Sequence, residues 1–296
     1  MLLAVAAVAT WAVAAPLSDA EFQQTEKAWR EGREKRLKAP GGWLSLVGLA
    51  WLQPGENAFG SDPSNPVRLP EGKAPARAGV LVLADGKVTL KPAPNGGVTI
   101  DGKPAVEKVL GDDMAEQTDV MKIGEVSFYV IRRGDRFGVR IKDPDGPVRA
   151  GFKGLEYFPL SRPWRVEATF VPYTTPHKVE IPTVLGTTET MEAPGVVKFT
   201  VNGREYMLEP VVEDPKEPLL WFIFKDATAG KETYGSGRFL YAAMPVDGKT
   251  VIDFNQAYNP PCAFTPYATC PLPPKVNWLP VRVEAGEKAY AGGHAP

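Results

Sequence analysis

Beyond Pro40 the chain alternates short apolar-rich runs with turn residues almost to its end. Within "VLVLADGKVTLKP", "VTIDGKPAVEKV", "VKFTVNGREYMLEPVV" and "FLYAAMPVDGKTVIDFN", the pairs Asp85-Gly86, Asp101-Gly102, Asn202-Gly203 and Asp247-Gly248 separate apolar-rich segments. That arrangement predicts two-residue hairpins, because both central residues of a type I′ turn need positive φ. "EVSFYVIRR", "RFGVRIKD", "WRVEATFVPY", "HKVEIPTVLG" and "PLLWFIFKD" are rich in β-branched and aromatic residues and bounded by Gly or Pro, so they read as further strands. So many short strands predict an all-β chain built from sandwiches or barrels.

Two segments near the start break this rhythm. "SDAEFQQTEKAWREGREKRLKAP" opens with Ser18 and Glu21 in capping-box spacing and stops at Pro40, predicting one short helix within residues 15–40. Its charges read as a solvated face, with Phe22, Trp29 and Leu37 as anchors. Ahead of it, "MLLAVAAVATWAVAAP" is too short to span a bilayer as a helix, although no Lys or Arg precedes its apolar run. It reads as a signal peptide over residues 1–14, with Ala12 and Ala14 forming the A-x-A cleavage pattern. The mature chain is accordingly expected to be periplasmic or secreted, without a transmembrane anchor. The turn pattern then divides it into a β-sandwich over 41–150 and a C-terminal antiparallel β domain over 151–296, which carries a Pro/Cys-rich loop at 256–278.

Charge and composition narrow the function. With 34 Lys+Arg against 35 Asp+Glu the net charge is -1, which leaves no electrostatic footprint for nucleic acid. G-x-S-x-G, H-E-x-x-H, the P-loop and G-x-G-x-x-G are all missing from the sequence, so esterase, zinc-protease and nucleotide-binding readings of those types have no support. Nothing indicates a cofactor.

The chemistry concentrates in "DFNQAYNPPCAFTPYATCPLPPKVNW". Cys262 and Cys270 in an exported chain are most simply a disulfide closing one small loop. A zinc site, for which only His177 and His294 could complete the ligands, a cysteine nucleophile with His177 as base, and two unpaired buried thiols remain open; no metal is expected. Counting outward from an Asp247-Gly248 turn pairs Ala242 with Asp253, Leu240 with Asn255 and Arg238 with Ala257. Arg238, Asp253 and Asn255 then share a face, either as a buried structural pair anchoring the loop or as a ligand site. In the second case Arg238 holds a carboxylate or phosphate, with "GSG" before it allowing close approach. Asp253 serves as polar anchor or weak candidate general base, Asn255 and Asn259 as amide partners, and Tyr258, Tyr267, Tyr234 and Glu232 as walls and flanks. A glycosidase-like pairing of Asp253 with Glu232 or Glu156 also stays open.

Two resemblances add to this reading. "GWLSLVGLAWLQPGENAFGSDPSNPVRLP", "GVLVLADGKVTL", "GVTIDGKPAV" and "IGEVSFYVI" resemble the strand and turn order of forkhead-associated β-sandwich domains, implying that fold for the N-terminal half. Those domains bind phosphothreonine, but Ser61 stands where the family has its phosphate-binding arginine and Asp101 where it has an asparagine, so that activity is not implied. "GWLSLVGLAWL", "GLEYFP", "ETYGSGRFLY" and "DFNQAYNPPCAFTPYATCPLPPKVNWLPVRVEAGEK" resemble the bacterial and archaeal family known as domain of unknown function 1684, which implies relatives without implying a reaction. The expected function is a cell-envelope binding module for a small polar or anionic ligand. The alternatives are a carboxylate-dependent hydrolase using Asp253 and a structural or partner-scaffolding protein.

Overall fold

The computed structural model describes residues 17–216 and 218–292; the expected leader over 1–14 and His294 lie outside the described residues. Helix α1 (Asp19–Lys38) starts on the predicted capping box, in which Ser18 Oγ accepts from the Glu21 N–H and the Glu21 carboxylate accepts from the Ser18 N–H. The expectation of a fully solvated charged face fails. Phe22, Glu26, Arg33 and Leu37 are the buried residues of the helix, because their spacing puts them on one stripe that docks against the C-terminal half. Among the described residues no helix is long and apolar enough to cross a membrane.

The rest is mostly β. The strands of the first half are β1 (Leu46–Trp51), β2 (Gly55–Gly60), β3 (Val67–Arg68), β4 (Gly79–Ala84), β5 (Lys87–Pro92), β6 (Thr99–Ile100), β7 (Lys103–Pro104), β8 (Lys108–Val109), β9 (Met121–Ile123), β10 (Val126–Arg133) and β11 (Arg136–Lys142). They form one sheet in the order β1-β11-β10-β9-β6-β7 and another in the order β3-β2-β4-β5-β8. The two sheets close on one core, in which Phe59 of one meets Phe128 of the other with ring centroids 5.5 Å apart.

The second half contributes β12 (Arg165–Pro182), β13 (Thr188–Val201), β14 (Arg204–Leu208), β15 (Leu219–Phe224), β16 (Arg238–Ala243) and β17 (Lys249–Asp253). The runs expected as two strands, at 164–173 and 177–186, are one strand, β12, whose register with β13 shifts between Pro172 and His177. One sheet has the order β14-β13-β12-β17, and β15 pairs with β16 in the other. β15 is apolar on both faces because both are covered. Leu220, Phe222 and Phe224 enter the core facing the four-stranded sheet, whereas Trp221 and Ile223 enter a second core with Leu37, Phe239, Cys262 and Cys270.

All four Asp-Gly and Asn-Gly turns form as expected, with φ of 51° and 67° at Asp85-Gly86, 52° and 74° at Asp101-Gly102, 51° and 74° at Asn202-Gly203, and 51° and 72° at Asp247-Gly248. The register extrapolated from the last of these is corrected. Val246 and Lys249 exchange backbone hydrogen bonds at 2.9 Å, but beyond them β16 pairs with β15 and β17 pairs with β12. A 3-10 turn at Phe254–Gln256 then inserts residues, so that Phe239 pairs with Tyr258 where the extrapolation pairs Arg238 with Ala257. The hairpin separates because each of its strands finds a longer apolar partner elsewhere.

Candidate functional site

The separated hairpin takes Arg238 away from Asp253. Arg238 is 1% exposed and donates to the carbonyls of Val283 at 2.9 Å and Glu287 at 3.2 Å, to that of Ala285, and to Asp226 Oδ1 at 3.3 Å. Its guanidinium therefore pins the C-terminal segment, with Asp226 in place of the expected Asp253. The "GSG" approach is closed as well. A Cβ on Gly237, at φ +96°, would lie 2.5 Å from the Phe224 carbonyl and 2.6 Å from Pro273 Cγ, so chain and not ligand fills that space.

Asp253 and Asn255 stay together as part of a brace. Asp253 Oδ1 accepts from the Asn255 backbone N–H at 3.1 Å and from its Nδ2 at 2.8 Å, while Asn255 also bonds both backbone groups of Ser161. The other oxygen lies 3.2 Å from Arg165 Nε, as an ion pair off the hydrogen-bond axis, and faces Glu26. Desolvation, then the neighbouring Asp253, push the Glu26 carboxyl up to about 7; burial likewise raises Asp253. Two buried carboxyls beside each other titrate as a pair, so the proton they take up belongs to both.

The remaining expected residues scatter. Asn259 is held by Glu287, whose Oε2 accepts its backbone N–H at 2.8 Å, and its Nδ2 donates to the Lys288 carbonyl. Tyr234 is buried with its hydroxyl on the Cys262 carbonyl. Glu232 is tied to Arg282, Glu156 is exposed, and neither is a partner of Asp253. Tyr267 is 37% exposed. His177 packs at a tilt against Tyr173 and its Nε2 lies 3.3 Å from Glu209 Oε1, not beside a cysteine. Cys262 and Cys270 are free thiols in place of the expected disulfide, yet they adjoin: each sulfur accepts the other residue's backbone N–H, at 3.2 and 3.4 Å.

Concavity lies elsewhere. A cleft of about 1860 Å³ runs between α1, the outer face of β10–β11, the start of β13, the β15–β16 face and the Pro/Cys-rich loop; of the expected site residues, it takes in Tyr258 and Cys270. One wall is aromatic. Trp221 and Tyr241 stack with centroids 5.9 Å apart and planes 14° from parallel, Tyr241 and Tyr258 at 6.3 Å and 19°, and Phe239 meets Trp221 and Tyr258 edge-on. The stack follows from the sequence once the pairing is known: Trp221 lies directly opposite Tyr241, and Tyr258 extends the row through the bridge to Phe239. Trp221 Nε1 is buried without a hydrogen-bond partner. The Arg33 guanidinium lies 4.6 Å above the Tyr258 ring and is held by Glu287 at 2.8 Å.

Across the cleft, Arg133 bonds Asp113 at 2.8 Å and Thr269 Oγ1 at 3.0 Å, and pairs with Glu189. Arg140 is 4% exposed and also lines the cleft. None of these residues except Tyr258 was singled out as a site residue from the sequence. The available signal was Arg136, Arg140 and Lys142 at even-numbered positions of one strand, which places three cations on one face.

The model of the family described as Protein of unknown function (DUF1684) matches residues 150–288. An uncharacterized protein of Haloarcula marismortui, solved by NMR, is 32% identical, with 49% of this chain and 82% of that one covered and a TM-score of 0.41. This chain belongs to the family. The matched region carries Trp221, Tyr241, Tyr258 and Thr269, whereas Arg33, Trp43 and Arg140 precede it, so residues inside and outside the matched region line the cleft together. A forkhead-associated domain, from a study of phosphothreonine-dependent interactions of such domains, is a structural neighbour of part of the chain at 19% identity, covering 32% of this chain and 92% of that one, with a TM-score of 0.23. No curated protein matches.

Proposed function

We propose that this protein is an exported binding module of the cell envelope, and that its small polar or anionic ligand lies in the cleft against the Trp221–Tyr241–Tyr258 wall. The observation that carries the reading is the pairing of that stacked wall with a buried donor, Trp221 Nε1, that has no acceptor of its own. Buried donors are nearly always paired, so one at the edge of a concave aromatic site favours a ligand that brings an acceptor. Export rests on the apolar segment over residues 1–14. The hydrolase reading has less to draw on, because Asp253 does not line the cleft and its Oδ1 is committed to Asn255.

Thermal-shift screening of the protein against envelope metabolites tests the reading, since a ligand selective for the folded state raises the melting temperature. Trp221→Phe keeps a ring in the wall and removes the donor. It is expected to weaken any compound that binds there by about tenfold, the loss of roughly one hydrogen bond to an otherwise unpaired group. Compounds whose affinity is the same for Trp221→Phe, Tyr241→Ala and the unaltered protein would place the ligand elsewhere.

A further inference from the structure

β11 is a central strand whose odd-numbered residues Phe137, Val139 and Ile141 enter the sandwich core, so Arg140 and Lys142 point out of the opposite face. There Thr269 of the second half covers Arg140, while Lys142 is half-buried. Trp43 and Tyr129 flank both cations: the Arg140 guanidinium is 5.0 and 5.9 Å from the two ring centroids, and the Lys142 ammonium 5.7 Å from each. Tyr129 holds this place because it lies directly opposite Arg140 across the β10–β11 ladder.

What distinguishes this pair from the neighbouring cations is charge balance. Arg33 has Glu287, Arg133 has Asp113 and Glu189, and Arg238 has Asp226. Among the described residues, no carboxylate lies within salt-bridge distance of Arg140 or Lys142. Arg140 donates to the Tyr129 hydroxyl and to Thr269 Oγ1, both at 3.3 Å, and its Nε is buried without any partner. Lys142 donates to the Gly41 carbonyl. Burial, together with Arg140 beside it, pushes the Lys142 ammonium below the ordinary lysine range, as expected where positive charge is left uncompensated. Thr269 is 6% exposed, and its oxygen accepts from both Arg133 and Arg140, which leaves its own O–H free for an acceptor. A buried guanidinium without a counter-charge is costly, and the missing partner is an anion.

We propose that this end of the cleft, on the reading of the cleft as a ligand site given above, is an oxyanion subsite in which Arg140 and Thr269 receive a carboxylate or phosphate group, with the Lys142 charge behind them. Arg140 and Thr269 both line the cleft, and Trp43 lines it beside them. The Arg140 fork is aimed and stacked in advance, which is the arrangement that recognises planar or tetrahedral oxyanions. The ligand of this protein then carries an anionic group at one end and a face for the aromatic wall at the other.

The test titrates the full chain with inorganic phosphate, acetate and phenyl phosphate, following binding by calorimetry and folding by circular dichroism. Phosphate or acetate is expected to bind the unaltered protein, and whichever binds better names the class of the anion. Arg140→Gln is expected to weaken that binding by at least about tenfold and Thr269→Val by about threefold or more, in line with the loss of charge-assisted and neutral hydrogen bonds. Arg140→Lys, which keeps the charge without the fork, should fall between, and with Thr269→Val it serves if Arg140→Gln does not fold. Binding of neither anion up to about 20 mM, or equal affinities for the unaltered protein and folded Arg140→Gln, Arg140→Lys and Thr269→Val, would overturn the subsite. Trp221→Ala, which removes the ring from the wall, is expected to leave inorganic phosphate unaffected and to weaken phenyl phosphate alone. Phosphate binding that depends on Arg140, with phenyl phosphate indifferent to Trp221, would retain the subsite and refute the wall. The reverse pattern would do the opposite.

Discussion

Glu26 of the N-terminal helix and Asp253 of the last strand are buried beside each other, and the raised Glu26 carboxyl gives the fold a pH dependence of definite sign. The Glu26 carboxyl rises from an ordinary 4.5 to about 7 in the folded chain. A raised pKa means that the folded state binds the proton more tightly, so the associated stability is fully present below about pH 4.5 and is lost as pH climbs through 7. The effect is on the order of a few kcal/mol, because Glu26 is 1% exposed and little screened. Urea denaturation at pH 5 and pH 8 is expected to show the unaltered protein weaker at the higher pH. Glu26→Gln, which donates to Asp253 at either pH, should lose most of that difference; an identical pH dependence in the variant would sink the shared-proton account. Neither the buried position of Glu26 nor its partner was legible in the sequence, where Glu26 reads as one charge in a solvated run.

At the scale of elements, α1 is fastened by a buried ion pair as well as by Phe22 and Leu37. Glu287 is fully buried and accepts from Arg33 Nε and from the Asn259 backbone N–H, both at 2.8 Å, while Arg33 also donates to the Asn259 carbonyl at 2.9 Å. Truncating one partner of such a network leaves the other as an uncompensated buried charge. Arg33→Ala is therefore expected to destabilise the protein by about 3 to 5 kcal/mol and, because α1 forms one side of the cleft, to weaken cleft ligands with it. A loss of less than about 1 kcal/mol, the range of exposed pairs, would show that Arg33 is solvated after all. The ends of α1 were readable from Ser18, Glu21 and Pro40, since caps act locally; its docking face was not, since only its partner, Glu287, makes Arg33 a buried residue.

For the whole molecule, the Pro/Cys-rich loop serves as the seam between the halves. Thr265 donates to the Leu46 carbonyl, and Thr269 takes Arg133 and Arg140. The thiols in this loop adjoin, and the contact with Cys270 holds Cys262 below the usual thiol range while burial pushes Cys270 up. Exposure to oxidised glutathione, which accepts the two electrons, is expected to join them. The product should lose two hydrogen masses and gain about 2 to 3 kcal/mol of stability, as a loop of this length allows. Thiols that remain fully alkylatable after such treatment of the folded chain would show that the pair stays reduced.

By itself the sequence determined what is local. Four hairpin turns, the capped helix and the all-β character follow from φ preferences, caps and alternation within a few residues of each other. The tertiary structure decided what depends on distant partners. The last turn formed as expected, yet its strands paired with β15 and β12, so Arg238 went to Asp226 and Asp253 to Arg165. The cleft has the same origin: Arg140, Trp221 and Tyr241 stand on different strands and face one space only because sheets distant in sequence come together beside the loop between Cys262 and Cys270. Strand pairing is selected by the apolar area that each alternative buries, a property of the whole fold that no single run of residues contains.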